Sequence, residues 1–125
     1  ERYGKISSET QNQMAEFGVA FSAVCDGRIL VIGGIMPIDS VKGYCWTIVS
    51  KYAEGEGRAV LRVVKDQLET LMETMGLVRV ETSNIADATD HHRWCRLLGF
   101  VEEGEMRLYD EKGRTYKRFA KFRED

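Results

Sequence analysis

Apolar and polar residues alternate along the first half of the chain, and this pattern predicts β-strands. Phe17–Cys25 has an apolar residue at every second position, and Arg28–Met36 follows as a return strand. The Asp26-Gly27 pair between them is typical of a two-residue hairpin turn, because both central residues of such a turn need a positive φ. Gly33-Gly34 inside the return strand indicates a bulge or a close approach by another group.

The second half of the chain changes to a helical spacing. After a third strand at Gly43–Ser50, apolar residues recur every three or four positions from Val60 to Met75, which predicts a long amphipathic helix that ends at Gly76. A strand follows at Leu77–Asn84. Strand, helix and strand in this order favour a parallel pair joined by a crossover helix.

The last part of the pattern predicts a short helix at Thr89–Leu98 and a final hairpin around Lys112-Gly113. Arg114–Arg123 alternates basic and aromatic residues, which is typical of a half-buried strand. Before the first strand, Ser8–Glu16 is polar and reads as a helix end or a tail. We therefore predict one α/β (α+β) domain over residues 1–125, with a polar segment at 1–14 and a single mixed, mostly antiparallel sheet.

Composition narrows the function classes. The chain has 125 residues, 18 Lys+Arg and 20 Asp+Glu, so its net charge is −2. This balance gives no support for nucleic-acid binding, which needs a basic field. No apolar run is long enough to span a bilayer, and the start of the chain has no signal-peptide pattern. We expect a cytoplasmic protein without a membrane partner.

The three cysteines, Cys25, Cys45 and Cys95, are widely spaced in apolar surroundings. This arrangement favours reduced, buried thiols over a disulfide framework. His91-His92 with Cys95 is the one cluster of metal-ligand residue types, and adjacent histidines rarely share a face. We therefore predict no metal site.

A glycine-rich loop, Gly55-Glu56-Gly57, precedes the long helix. Unpaired N–H groups at a helix start can hold a diphosphate, and Arg58 can add a charged contact. Glu54 and Glu56, however, place negative charges beside any bound phosphate. From these residues alone, an anion-binding loop and a loop that only completes the fold are both open.

Two motifs together resemble the GNAT acyltransferases. The run Gly55–Leu61, which follows a strand, resembles the acetyl-CoA loop of that family. The segment Arg93–Glu105, with Leu-Gly-Phe at the end of its helix, resembles the part that closes the cofactor slot. The order of the predicted elements from Phe17 onward also fits. The resemblance thus covers most of the chain and implies a GNAT-like fold.

Within that family, the chain looks closest to small GNAT-like proteins of tailed phages, some of which are carried inside the virion. The aromatic-rich strand at Gly43–Ser50 and the pattern of His91, Arg93 and Trp94 carry this likeness. A protein of this group would act in the host cytoplasm or be packaged in the virion.

The resemblance implies binding of acetyl-CoA or another acyl-CoA and direct transfer of the acyl group to an amine. Strand backbone would hold the thioester and pantetheine, and the N–H groups of the loop would hold the diphosphate. The cofactor-binding residues that the resemblance implies, including two from the closing helix, are Thr47, Ile48, Val49, Gly55, Glu56, Gly57, Arg58, Ala59, Ala88 and His91.

Several family positions hold other residues here. Tyr52 stands where the loop usually begins with Gln or Arg. Ala88 replaces an Asn that contacts pantetheine, and Cys95 replaces a Tyr that protonates the leaving thiolate. Cys95 is a candidate acid, or simply a small buried residue. Glu81 is the candidate general base and Asp39 the second candidate, and both are also explained as solvated surface carboxylates.

The resemblance also implies that the N-terminal strand and helices of a full domain are lacking, since only Glu1–Met14 precedes the first strand. The alternative to an enzyme is therefore a non-catalytic phage structural or internal virion protein with the same fold. A binding module for a host protein is a third possibility. The sheet end left uncovered would favour self-association or contact with a phage or host protein.

Overall fold

The computed structural model describes residues 6–12 and 19–123. Among these residues, seven strands form one sheet, with two helices and a 3-10 turn at Lys51–Ala53. In chain order the elements are β1 (Ile6–Asn12), β2 (Val19–Cys25), β3 (Arg28–Pro37), β4 (Lys42–Val49), α1 (Gly57–Met75), β5 (Arg79–Ile85), α2 (Thr89–Leu97), β6 (Val101–Met106) and β7 (Tyr116–Phe122). The strand order across the sheet is β1-β2-β3-β4-β5-β7-β6.

The predicted hairpin between β2 and β3 is confirmed. Asp26 and Gly27 have φ values of 51° and 78°, as a tight hairpin turn requires. The glycine pair in β3 marks a close approach, because a Cβ on Gly34 would lie 2.6 Å from the carbonyl oxygen of Val19. The shift in register between these strands falls elsewhere, at Ala23/Val24.

One part of the fold prediction needs correction, because an N-terminal strand is present. Ile6–Asn12 forms β1 and pairs antiparallel with β2 along its whole length, where the sequence indicated a helix end or a tail. The connection to β2 lies outside the described residues, and so does Phe17. Within the described ranges no helix precedes β4.

The predicted parallel pair is confirmed, and it is short. Lys42–Tyr44 of β4 pairs in parallel with Arg79–Glu81 of β5, and α1 makes the crossover. Gly76 ends that helix with a φ of 70°. Beyond Tyr44 and Glu81 the two strands have no further pairs, so a gap opens between them.

Both helices lie on the same face of the sheet. Lys121 of β7 shows this directly, since its ammonium group lies 2.7 Å from the carbonyl oxygen of Leu98, just after α2, and 3.3 Å from a carboxylate oxygen of Glu69 on α1. The buried core fills this face. Its largest side chains are Phe21, Phe119, Leu30, Ile35, Leu68, Met72, Leu77, Val31, Val60, Val64 and Val80.

The opposite face, which we call the open face, carries no helix within the described ranges. A hydrogen bond of 3.2 Å between the hydroxyls of Tyr44 and Ser83 crosses from β4 to β5 on this face. Large apolar side chains remain exposed here, and Ile48 is 63% exposed. The residues that define the open face between β4 and β5 are Tyr44, Trp46, Ile48, Glu81 and Ser83.

Candidate functional site

A cavity of about 630 Å³ lies where β4 and β5 separate. Both strands, both helices and the loop before α1 contribute to its walls. The lining residues are Cys45, Thr47, Val49, Ser50, Lys51, Ala53, Glu54, Gly57, Val60, Thr82, Asn84, His91, Trp94, Cys95, Leu98 and Phe100. A cleft of this size is in the range that holds a small-molecule ligand.

Strand alternation decides which side chains enter the cavity. Successive side chains of a strand point to opposite faces, so Thr47 of β4 and the pair Thr82 and Asn84 of β5 reach the helix-covered face. Ile48 and Glu81 lie between such positions and point to the open face. The strands thus place polar groups in the cavity and leave two of the predicted site residues outside it.

The loop at residues 50–55 borders the mouth of the cavity and is fixed by hydrogen bonds and backbone conformation. The Ser50 hydroxyl donates a hydrogen bond of 2.6 Å to the carbonyl oxygen of Ile29 and accepts one of 3.2 Å from the backbone N–H of Tyr52. Gly55 has a φ of 82°, a conformation that other residues rarely adopt. The loop therefore fixes the direction in which α1 begins.

The first turn of α1 faces the cavity through Gly57. A Cβ on Gly57 would meet no atom within 4 Å, so the space in front of the helix start is open. The N–H of Val60 already bonds to the carbonyl oxygen of Glu56 at 2.9 Å, while the N–H groups of the preceding turn have no partner within the helix. This arrangement suits an anion.

The two loop glutamates take different positions. Glu56 is only 6% exposed and lines a separate hollow behind the loop, together with Arg28 and Tyr52. Its side chain therefore does not occupy the cavity. Glu54 and Lys51 both line the cavity, so one negative and one positive side chain stand at its mouth.

Two thiols form part of the inner wall. The amide nitrogen of Asn84 donates a hydrogen bond to Cys95 Sγ at 3.2 Å. Burial raises the pKa of the Cys95 thiol, although the Asn84 hydrogen bond and the charge of Arg96 act in the other direction. Burial, with a smaller contribution from Cys95, raises the pKa of Cys45 to about 12. Both groups are thiols rather than thiolates in the free protein.

Helix α2 supplies one wall and is anchored to β5. His92 is buried, with its Nε2 atom 3.0 Å from the carbonyl oxygen of Ile85 and its ring 5.4 Å from that of Phe119. His91 and Trp94 line the cavity. Within the described ranges, the buried indole nitrogen of Trp94 has no hydrogen-bond partner.

Glu81 belongs to an ion-pair network on the open face. It accepts a hydrogen bond of 2.7 Å from Arg79 Nε and lies 3.9 Å from Arg118. Arg79 also bonds to Glu103, and this contact lowers the pKa of Glu103. Glu81 thus lies at the point where the strands part, on the face opposite the cavity.

The other predicted residues lie farther away. Asp39 accepts hydrogen bonds of 2.9 Å from the backbone N–H groups of Val41 and Lys42, and a hydrogen bond from the Lys42 side chain lowers its pKa to about 2. Ala88 is the residue before α2 and does not line the cavity. Arg58 is exposed in the first turn of α1 and does not line it either.

Sequence reasoning missed Asn84, Thr82 and Cys45 as cavity residues. Asn84 and Thr82 are two positions apart, and Asn84 follows the predicted parallel pair, so the pattern did contain a signal for one shared face. For Cys45 no comparable signal exists, because an apolar residue at an alternating position fits any buried strand.

Across residues 6–12 and 19–123, no group of three or more His, Cys, Asp or Glu side chains is placed to hold a metal ion. None of the helices in those ranges is long and apolar enough to cross a membrane.

The fold is that of the GNAT acetyltransferases, as comparison with solved structures shows. The chain is similar to the ribosomal-protein-S5-alanine acetyltransferase of Vibrio fischeri, with a TM-score of 0.75 and 18% identity over 87% of this chain and 63% of that one. It is also similar to a GNAT-family acetyltransferase of Streptococcus pneumoniae, with a TM-score of 0.72 and 17% identity over 88% of this chain and 69% of that one.

A third similar structure is Ard1 of Thermoplasma volcanium, with a TM-score of 0.73 and 11% identity over 85% of this chain and 71% of that one. The 63% coverage of the Vibrio fischeri enzyme means that the chain spans less than two thirds of that protein. No model of a protein family and no curated protein matches the sequence. At these identities the likeness establishes the fold.

Proposed function

We propose that this chain binds an acyl-CoA in the cavity between β4 and β5 and transfers the acyl group to an amine. The observation that carries the proposal is the separation of β4 and β5 directly in front of the α1 N-terminus. A gap between parallel strands exposes backbone groups that a pantetheine arm can pair with, as an added strand would. The helix start beyond it offers N–H groups for a diphosphate.

The residues at the cavity mouth fit such a ligand. Gly57 leaves open space in front of the helix start, and the N–H groups of Gly57, Arg58 and Ala59 precede the first residue bonded within α1. Lys51 adds a positive charge in the cavity wall. The backbone of Thr47, Ile48 and Val49 follows the last β4–β5 pair and is the natural edge for the pantetheine amides.

The inner wall supplies the groups for acyl transfer. A bound thioester brings an acyl carbon that is activated toward amines. Cys95, held as a thiol by burial and oriented by Asn84, donates a proton to the departing thiolate. Glu81, at the point where the strands part, takes a proton from an amine that arrives from the open face. His91 at the cavity wall contacts the cofactor.

The alternative is a non-catalytic phage structural or internal virion protein that keeps the fold. Two observations favour it. Ala88 offers no polar side chain where the family has an Asn, and the acidic residue Glu54 lines the same cavity as Gly57. The likeness to tailed-phage proteins, the cytoplasmic or virion location and a phage, host or self-association partner all stay predictions.

Thermal unfolding with and without acetyl-CoA tests the proposal. Ligand at about 100 times its Kd stabilises a fold by roughly 2.7 kcal/mol, which corresponds to a rise in Tm on the order of 10 °C for a chain of this size. Gly57→Glu places a side chain and a negative charge in the open space and should abolish the shift. Thr70→Glu is the matched control, because it adds the same charge to an exposed position of α1 away from the cavity.

The outcomes separate the two functions. A Tm shift together with release of free thiol from acetyl-CoA in the presence of amines supports the transferase. A shift without turnover on any amine supports a protein that binds the cofactor and has lost catalysis. The absence of a shift at millimolar acetyl-CoA refutes the proposal and favours the structural protein.

A further inference from the structure

Helix α2 presents a thiol and an imidazole to the same cavity. His91 and Cys95 are four residues apart, which places their Cβ atoms roughly 5–6 Å from each other on one helix face. Both line the cavity, and His91 is exposed while Cys95 is only 5% exposed. The Asn84 amide donates to Cys95 Sγ from β5 at 3.2 Å and so fixes the direction of the thiol.

Cysteine, histidine and asparagine side chains together can form a site in which the thiol acts as a nucleophile. Cysteine is intrinsically strongly nucleophilic once its proton is removed, and a nearby histidine is the usual acceptor for that proton. An amide that bonds to the sulfur holds it in one orientation. The proton must move during the reaction, because burial keeps Cys95 as a thiol in the free protein.

We propose that Cys95 accepts the acyl group from an acyl thioester bound in the cavity and becomes an S-acyl cysteine. This inference rests on the proposed function in one respect, namely that the cavity takes an acyl thioester. It differs from the proposed function in the role of Cys95, which in direct transfer only gives a proton to the departing thiolate and here takes the acyl group itself.

The step balances without any other reactant. Cys95 Sγ forms a bond to the acyl carbon, and the bond between that carbon and the sulfur of the donor breaks. The thiol proton passes to His91 and from there to the departing thiolate. An amine then attacks the S-acyl group, so that a C–N bond forms, the C–S bond breaks and one amine proton returns to Cys95 Sγ.

The other two cysteines provide matched controls. Cys45 lines the same cavity and is 4% exposed, but its pKa is raised to about 12, and neither His91 nor Asn84 bonds to its sulfur within the described ranges. Cys25 lines the hollow behind the loop. Acylation that follows this arrangement must therefore select Cys95.

The experiment incubates the full chain with acetyl-CoA without an amine, quenches it in acid and measures the intact mass. We expect one acetyl group that neutral hydroxylamine removes, because hydroxylamine cleaves thioesters and leaves amides. Peptide mapping of the unmutated chain should place the group on Cys95. Cys95→Ala should lose it, Cys45→Ala should keep it, and His91→Gln should slow its formation about 100-fold.

The results also distinguish this inference from the proposed function. A chain that acetyl-CoA stabilises against heat but that carries no acetyl group on Cys95 overturns the inference and leaves direct transfer standing. Acetyl-Cys95 without transfer to any amine supports acyl transfer to Cys95 and contradicts both the later attack by an amine and the transferase. An acetyl group that maps to Cys45, Cys25 or a lysine overturns the inference, and the mapping does not depend on whether Cys95→Ala folds.

Discussion

Gly99, which follows α2, offers a sharp test of how the site is held in place. Its φ is +97°, in the region that favours glycine. A Cβ at this position would lie 2.6 Å from Lys121 Nζ. That ammonium group donates a 2.7 Å hydrogen bond to the carbonyl oxygen of Leu98 and so caps the end of the helix that carries His91 and Cys95.

The cost of Gly99→Ala has two parts. The left-handed backbone costs an alanine about 1 to 2 kcal/mol. The new methyl group also displaces Lys121 and breaks its charge-assisted hydrogen bond to Leu98, which contributes about 1.5 to 3 kcal/mol. We therefore expect Gly99→Ala to lower the free energy of unfolding by about 2.5 to 5 kcal/mol.

A double-mutant cycle separates these parts. Lys121→Met ends one atom short of the ammonium, near the Lys121 Cε position, which lies 3.9 Å from where a methyl group on residue 99 would stand and makes an ordinary contact. Lys121→Met alone should cost about 1.5 to 3 kcal/mol. In that background Gly99→Ala should cost only the backbone part, about 1 to 2 kcal/mol.

Urea unfolding followed by circular dichroism measures all four variants. Glu69→Gln is the control, since Glu69 is half exposed and its 3.3 Å pair with Lys121 should contribute no more than about 1 kcal/mol. If Gly99→Ala costs the same with Lys121 and with Met at position 121, the two changes are additive. Additivity would refute the argument that Lys121 holds the end of α2.

Two further predictions concern titratable groups. The pKa of Asp39 is lowered from 3.8 to about 2, so the stability that Asp39 contributes is present above about pH 3.8 and is lost as the pH falls toward 2. Over this pH range the Tm of Asp39→Asn should therefore fall less than the Tm of the unmutated chain. An equal fall in Tm would contradict the assignment. Iodoacetamide should modify Cys25 well before Cys45 and Cys95, because the last two are buried thiols with raised pKa values. Mass spectrometry of the alkylated peptides gives the order of reaction, and early reaction of Cys45 would contradict its burial.

The sequence pattern predicts the elements whose apolar residues recur at the period of a strand or a helix, and it misses the one strand that lacks such a period. The β2–β3 turn and α1 were predictable, because Asp26-Gly27 and the spacing from Val60 to Met75 each admit few other structures. Strand β1 was not, since Ile6–Asn12 contains a single large apolar residue. An edge strand of this kind pairs through its backbone, which any sequence supplies.

The candidate site was predictable only in part, for a related reason. Alternation along β5 places Glu81 on one face and Thr82 and Asn84 on the other, and the sequence shows that division. It does not show which face the helices cover, because that depends on long-range packing between β7 and both helices. The contact of Lys121 with Glu69 and Leu98 settles it in the structure.

The residues that determine the fold of this chain differ from those that would carry its chemistry. The sheet order, the crossover and the gap after Tyr44 depend on which positions are apolar, and many sequences satisfy that requirement. This explains how a TM-score of 0.75 accompanies 18% identity. The proposed acyl transfer depends instead on a few side chains that line the cavity, Cys95 and Asn84 among them. The chemistry of those two residues therefore depends on the Asn84–Cys95 contact itself. The fate of the acyl group, which either passes directly to an amine or first bonds to Cys95 Sγ, distinguishes direct transfer from an acyl-accepting thiol.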